Sequence, residues 1–158
     1  MRPFARLGTI LGISAALVAA TAVPAVASPA KFALAVVHGG GTGATAGSLK
    51  GGMSWSASLK TVTLSEVTLF VKGGECIDFT IIGRQGSTVV TDGGQYPPQG
   101  GQYCPSADYT WWFGTISLTA NRPGGIEHVN FDMYDYWHHT QGYINCDRRE
   151  AVCYGSDH

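Results

Sequence analysis

From Met53 to the C-terminus, no window of roughly 11 residues carries the apolar stripe of an amphipathic helix. Apolar residues instead alternate with polar ones in short runs, and glycine, proline and asparagine separate the runs. The clearest are Met53 to Leu59, Val67 to Val71, Ile77 to Ile82, Ser87 to Thr91, Tyr109 to Thr119 and Ile126 to Trp137. Period-two alternation buries one face of a strand, so the expectation is an all-β antiparallel β-sandwich, immunoglobulin-like or jelly-roll-like. Composition agrees. A chain of 158 residues suits one domain, and 13% charged residues with 22 glycines exclude a helical bundle, a coiled coil or a charge-driven disordered tail.

The first 27 residues read as a secretory signal peptide. Arg2 and Arg6 precede an apolar run from Leu7 to Val23, which ends in Pro24 and the small-residue triplet Ala25-Val26-Ala27. The run is short and weakly apolar for a membrane anchor. Cleavage after Ala27 removes two arginines and takes the formal charge from -1 to about -3, which argues against a nucleic-acid partner. The mature chain is expected to be secreted, extracellular and free of the membrane.

Export would place Cys76, Cys104, Cys146 and Cys153 in an oxidising compartment, where an even count means disulfides. Three pairings are possible. Six residues between Cys146 and Cys153 can close a tight turn, which favours that pair and leaves Cys76 with Cys104 by elimination. No metal site is expected: there is no C-x-x-C pair, and His138 and His139, as neighbours on a strand, would point to opposite faces.

Residues 28–52 read as a Gly-rich N-terminal segment and flexible linker ahead of a sandwich domain at 53–158. Within the linker, Gly41, Gly43 and Ala46 match a dinucleotide-binding spacing, but Gly47, Gly51 and Gly52 would break the helix that such a site needs. No cofactor is expected.

Two hairpins are expected. In the first, Val67, Leu69 and Val71 share a face with Ile77, Phe79 and Ile81 across the loop Lys72-Gly73-Gly74. In the second, the turn from Ala120 to Gly125 sets Thr119 opposite Ile126, Ile116 opposite Val129 and Trp112 opposite Met133, with Leu118 and Phe131 on the same inward face. Its other face would hold Tyr109, Trp111, Phe113, Thr115 and Ser117 beside His128, Asn130, Asp132, Tyr134 and Tyr136. Aromatic rings among amide, hydroxyl and carboxylate groups suit a sugar, whose C–H faces stack on rings while its hydroxyls hydrogen-bond. Tyr109, Trp111, Phe113, Tyr134, Tyr136, Asp132 and Asn130 are therefore the candidate ligand-binding residues. The competing reading is that a second sheet, a homodimer partner or the tyrosine-bearing loop from Asp92 to Asp108 covers these rings.

No serine elbow, zinc-protease helix, phosphate loop or cysteine nucleophile signature is present. Asp132 and Asp135 differ in strand parity, and His128 lies roughly 13 Å along the strand from Asp132. Enzyme activity is not expected.

The Met53-Ser54-Trp55 triplet, the β-run with glutamate and cysteine around Cys76, and the segment from Arg122 to Asp135 (RPGGIEHVNFDMYD) resemble small secreted β-sandwich proteins of actinobacteria of uncharacterised function. The resemblance implies a sandwich and an extracellular location, and supplies no catalytic residues. The expected function is thus a secreted, non-enzymatic module that binds an extracellular ligand or glycan. The alternative is a structural or partner-binding protein, including an inhibitor of a secreted hydrolase.

Overall fold

The computed structural model describes residues 28–38 and 43–157. The proposed signal peptide lies outside the described residues, as does Gly41 of the glycine motif. Among the described residues there are nine strands: β1 (Lys31–Val37), β2 (Thr45–Trp55), β3 (Thr61–Val71), β4 (Ile77–Gln85), β5 (Thr88–Tyr96), β6 (Tyr109–Thr119), β7 (His128–Asp135), β8 (Thr140–Asp147) and β9 (Tyr154–Asp157). They form a four-stranded sheet in the order β1-β2-β3-β6 and a five-stranded sheet in the order β5-β4-β7-β8-β9, every neighbouring pair antiparallel. The chain is an all-β sandwich with disulfides Cys76–Cys104 and Cys146–Cys153. Among the described residues no helix is long and apolar enough to cross a membrane.

Alternation along the strands builds the core. Val67, Leu69 and Val71 face inward from β3, Ile77, Phe79 and Ile81 from β4, and Val129, Phe131 and Met133 from β7, all fully buried. Phe32 of β1 stacks on Phe131 across the sandwich, with ring centroids 4.3 Å apart. Each such side chain contributes on the order of 1.5–3 kcal/mol by leaving water.

The glycine-rich segment is not a linker. Its residues form β1 and most of β2, so the expected domain boundary at Met53 falls inside a strand. Gly47 and Gly51 sit in β2 where a Cβ would press on the Phe70 carbonyl and on the Phe32 ring respectively, which explains glycine there without a flexible role.

Neither expected hairpin forms. β3 and β4 lie in different sheets, as do β6 and β7. The inward parity of Val67, Leu69, Val71, Ile77, Phe79 and Ile81 is as expected, but the two sets face each other from opposing sheets. In the β3–β4 crossover, Gly73 N donates to Asp108 Oδ1 at 2.9 Å and Gly74 N to the Pro105 carbonyl at 2.8 Å. These backbone donors are spent on the segment leading into β6. In the β6–β7 crossover, Ala120 N and Ile126 N donate to Lys60 O and Leu59 O. There Gly125 has φ +65°, and a Cβ would run into the Leu59 backbone, so the crossover passes too close for any side chain.

Strand β6 also reverses its parity. Leu118 is buried and Ile116 half-buried on the inner side, but Gly114 at φ +69° lies where the pairing with β3 slips. Beyond this bulge Phe113 and Trp111 pack against the core, and Trp112, expected inside, is 73% exposed.

Candidate functional site

The expected aromatic face divides between the sheets. Tyr109, Trp111 and Phe113 belong to β6. Phe113 meets Phe79, Tyr96 and Tyr103 edge-on at 5.3, 5.5 and 5.7 Å, and Trp111 lies 4.9 Å from Tyr103. The tyrosines after Asp92 are therefore the cover for these rings, and Trp111 and Phe113 are withdrawn from the candidate set. Tyr109 remains exposed, packed edge-on against Trp111.

Asn130, Asp132, Tyr134 and Tyr136 stay together at the outer face of the five-stranded sheet. The strand register extends that face. Thr80 lies opposite Asp132 and Ile82 opposite Asn130 on β4, and Tyr143 and Asn145 lie opposite the same two residues on β8. Arg84 is paired with His128 at one end, and Asp78 with Tyr134 at the other. A depression of about 290 Å³ opens here, lined by Thr80, Ile82, Arg84, Gly86, Ser87, His128, Asn130, Asp132 and Tyr143.

Hydrogen bonds hold this wall in place. Gln141 Nε2 donates to Asp132 Oδ2 at 2.7 Å, Asn130 Nδ2 donates to the Tyr143 hydroxyl, and Gln95 and Tyr136 both donate to Asp78 Oδ2. Asn130 Oδ1 and Asn145 Oδ1, paired in register, are buried with no partner. Both oxygens lie beneath the surface of the strip. Burial raises the Asp132 carboxyl above the ordinary value against the lowering effect of Gln141, and Asp78 is raised by burial too. Burial lowers the His128 imidazole against the pull of Asp147 and Glu127. The face thus sets carboxylates, amides and hydroxyls beside the Arg84 guanidinium at one end. The β7 members are legible in the sequence through parity; Thr80, Arg84 and Tyr143 depend on strand pairing, which the hydrophobic pattern does not encode.

A second cluster lies at one end of the sandwich, where His38 follows β1, Glu75 sits in the β3–β4 crossover, Asp135 ends β7 and His138 stands in the β7–β8 turn. One ligand atom from each converges, all four within 4.8 Å of one another. His138 and His139 stand in this turn rather than on a strand as expected, and they diverge there, His139 Nδ1 meeting the Tyr134 hydroxyl at 2.9 Å. The second imidazole comes instead from His38, 97 residues before Asp135. No local spacing signals that meeting.

No family model, curated protein or solved structure matches this chain.

Proposed function

We propose that the protein is a secreted, non-enzymatic module that binds a hydroxyl-rich ligand, a glycan, across the outer face of its five-stranded sheet. The observation that carries this reading is the depression itself, where Thr80 of β4, His128, Asn130 and Asp132 of β7 and Tyr143 of β8 bring polar side chains from three neighbouring strands to one wall. Asp132, Thr80 and Tyr143 add acceptors and hydroxyls, and the Tyr134 and Tyr136 rings, edge-on to each other at 4.7 Å, flank the polar strip. Few precisely placed polar groups beside aromatic rings are the usual makeup of such sites. Two disulfides fit an extracellular setting.

A partner-binding or inhibitory role for the segment from Asp92 to Asp108 has less to draw on. Through Tyr96 it is strand β5, and its tyrosines are turned onto Phe79, Phe113 and Trp111.

Co-sedimentation with insoluble polysaccharides and calorimetric titration with their soluble oligosaccharides test the proposal. Wild type and Trp112→Ala, altered on the other sheet, should bind one glycan class equally, while Asn130→Ala and Asp132→Ala should lose at least about tenfold in affinity, one hydrogen-bonding group's worth. Binding of no glycan, or equal binding by all four proteins, would overturn it.

A further inference from the structure

The end of the sandwich carries a site unrelated to the glycan face. We propose that His38, Glu75, Asp135 and His138 bind one divalent transition-metal ion, zinc by donor set and size, and that the ion fastens the two sheets together.

The nitrogen–oxygen separations are those of a coordination shell. His38 Nε2 lies 2.9 Å from Asp135 Oδ2 and 3.8 Å from Glu75 Oε2, and His138 Nδ1 lies 3.1 and 3.2 Å from the same two oxygens. Zinc with bonds of about 2.05 Å to nitrogen and oxygen places tetrahedral ligand atoms about 3.3 Å apart. The four separations scatter around that edge length. Two imidazoles with two carboxylates match zinc and its neighbours in the transition series, whereas calcium and magnesium take all-oxygen shells.

Hydrogen bonding alone leaves the cluster incomplete. Each ring nitrogen can donate one hydrogen, yet His38 Nε2 and His138 Nδ1 both face both carboxylates, and both form their hydrogen bonds to Asp135 Oδ2. Glu75 Oε2 is left buried without a hydrogen bond, with His138 Nδ1 at 3.2 Å its close neighbour. A cation at the centre satisfies all four atoms at once. The Asp135 side chain is fully buried and its other oxygen accepts from Trp137 N at 3.0 Å, an outer contact of the sort that orients a ligating carboxylate. Glu75 is held by the adjacent Cys76–Cys104 disulfide. The His138 side chain is half exposed and leaves a way in for the ion.

The ligands come from both layers: His38 leaves the four-stranded sheet, Asp135 ends β7 of the five-stranded one with His138 in the turn that follows, and Glu75 lies in the crossover between them. A filled site therefore adds a cross-link between the two sheets, and all four tetrahedral positions are protein atoms, as in structural zinc sites.

The test uses the exported chain with disulfides intact, stripped with chelator and titrated calorimetrically with zinc chloride, then with cobalt chloride followed by visible absorption. Expected are one equivalent of zinc, an intense tetrahedral cobalt spectrum, and a melting temperature raised by roughly 5–15 °C at a hundredfold excess of zinc over its Kd. His38→Gln and His138→Gln should each lose at least tenfold in zinc affinity and most of the thermal shift, while His139→Gln retains both. Failure of stripped wild type to take up either ion stoichiometrically overturns the site, a result independent of whether any variant folds. Unchanged uptake by folded His38→Gln overturns it equally.

Discussion

Trp111 and Trp112 are neighbours with opposite fates, and Gly114 decides between them. An uninterrupted strand with Leu118 inside would also bury Trp112; the bulge moves Trp111 and Phe113 inward instead. Phe113→Ala should therefore cost about 2–4 kcal/mol and Trp112→Ala less than about 0.5 kcal/mol in urea denaturation. The reverse order would restore unbroken alternation. His128 supplies a second single-residue prediction. Its imidazole is lowered chiefly by burial, so the unfolded chain takes up the proton first as pH falls. The stability it contributes is present above the ordinary value of about 6.5 and is lost as pH falls from there through the lowered one. Denaturation midpoints from about pH 8 down to about pH 5 should fall more steeply in wild type than in His128→Gln. Asp132, raised by burial, has the opposite sign: its contribution is present below the ordinary carboxylate range and is lost as pH rises through the raised value.

At the level of elements, parity was legible and partnership was not. The alternation of Val67 to Val71 and of Ile77 to Ile81 identifies the buried side chains, because burial depends on each strand's own period. It does not distinguish a hairpin from a crossover, since both turn the two apolar faces to the same core. The deciding contacts, Gly73 to Asp108 and Ile126 to Leu59, join residues far apart in sequence. The glycine-rich segment misled for a related reason. Its glycines make room for Phe32 and the Phe70 carbonyl, neighbours visible only after folding. Disulfide pairing was legible because the short separation of Cys146 and Cys153 is a local property. The two bridges should differ in effect: removing Cys76–Cys104, separated by 28 residues, should cost roughly 3.5 kcal/mol, and removing Cys146–Cys153, separated by 7, roughly 2.5 kcal/mol. Denaturation of the paired Cys→Ser variants measures both, and equal losses would point away from chain entropy as the cause.

Across the whole molecule, the two sheets have unlike outer surfaces, and the site emerges from that difference. The five-stranded sheet joins residues of β4, β7 and β8 into one polar strip. Only the β7 share, Asn130, Asp132 and Tyr134 with the adjacent Tyr136, was readable beforehand, because it lies on one strand and its margin. The most direct measurement is a set of amide ¹H–¹⁵N spectra of the labelled mature protein during titration with the soluble oligosaccharides. The account predicts shifts concentrated at Thr80, Ile82, Asn130, Asp132, Tyr143 and Asn145, with Tyr109 to Phe113 unmoved. Shifts centred on β6, or none with any oligosaccharide, would contradict it.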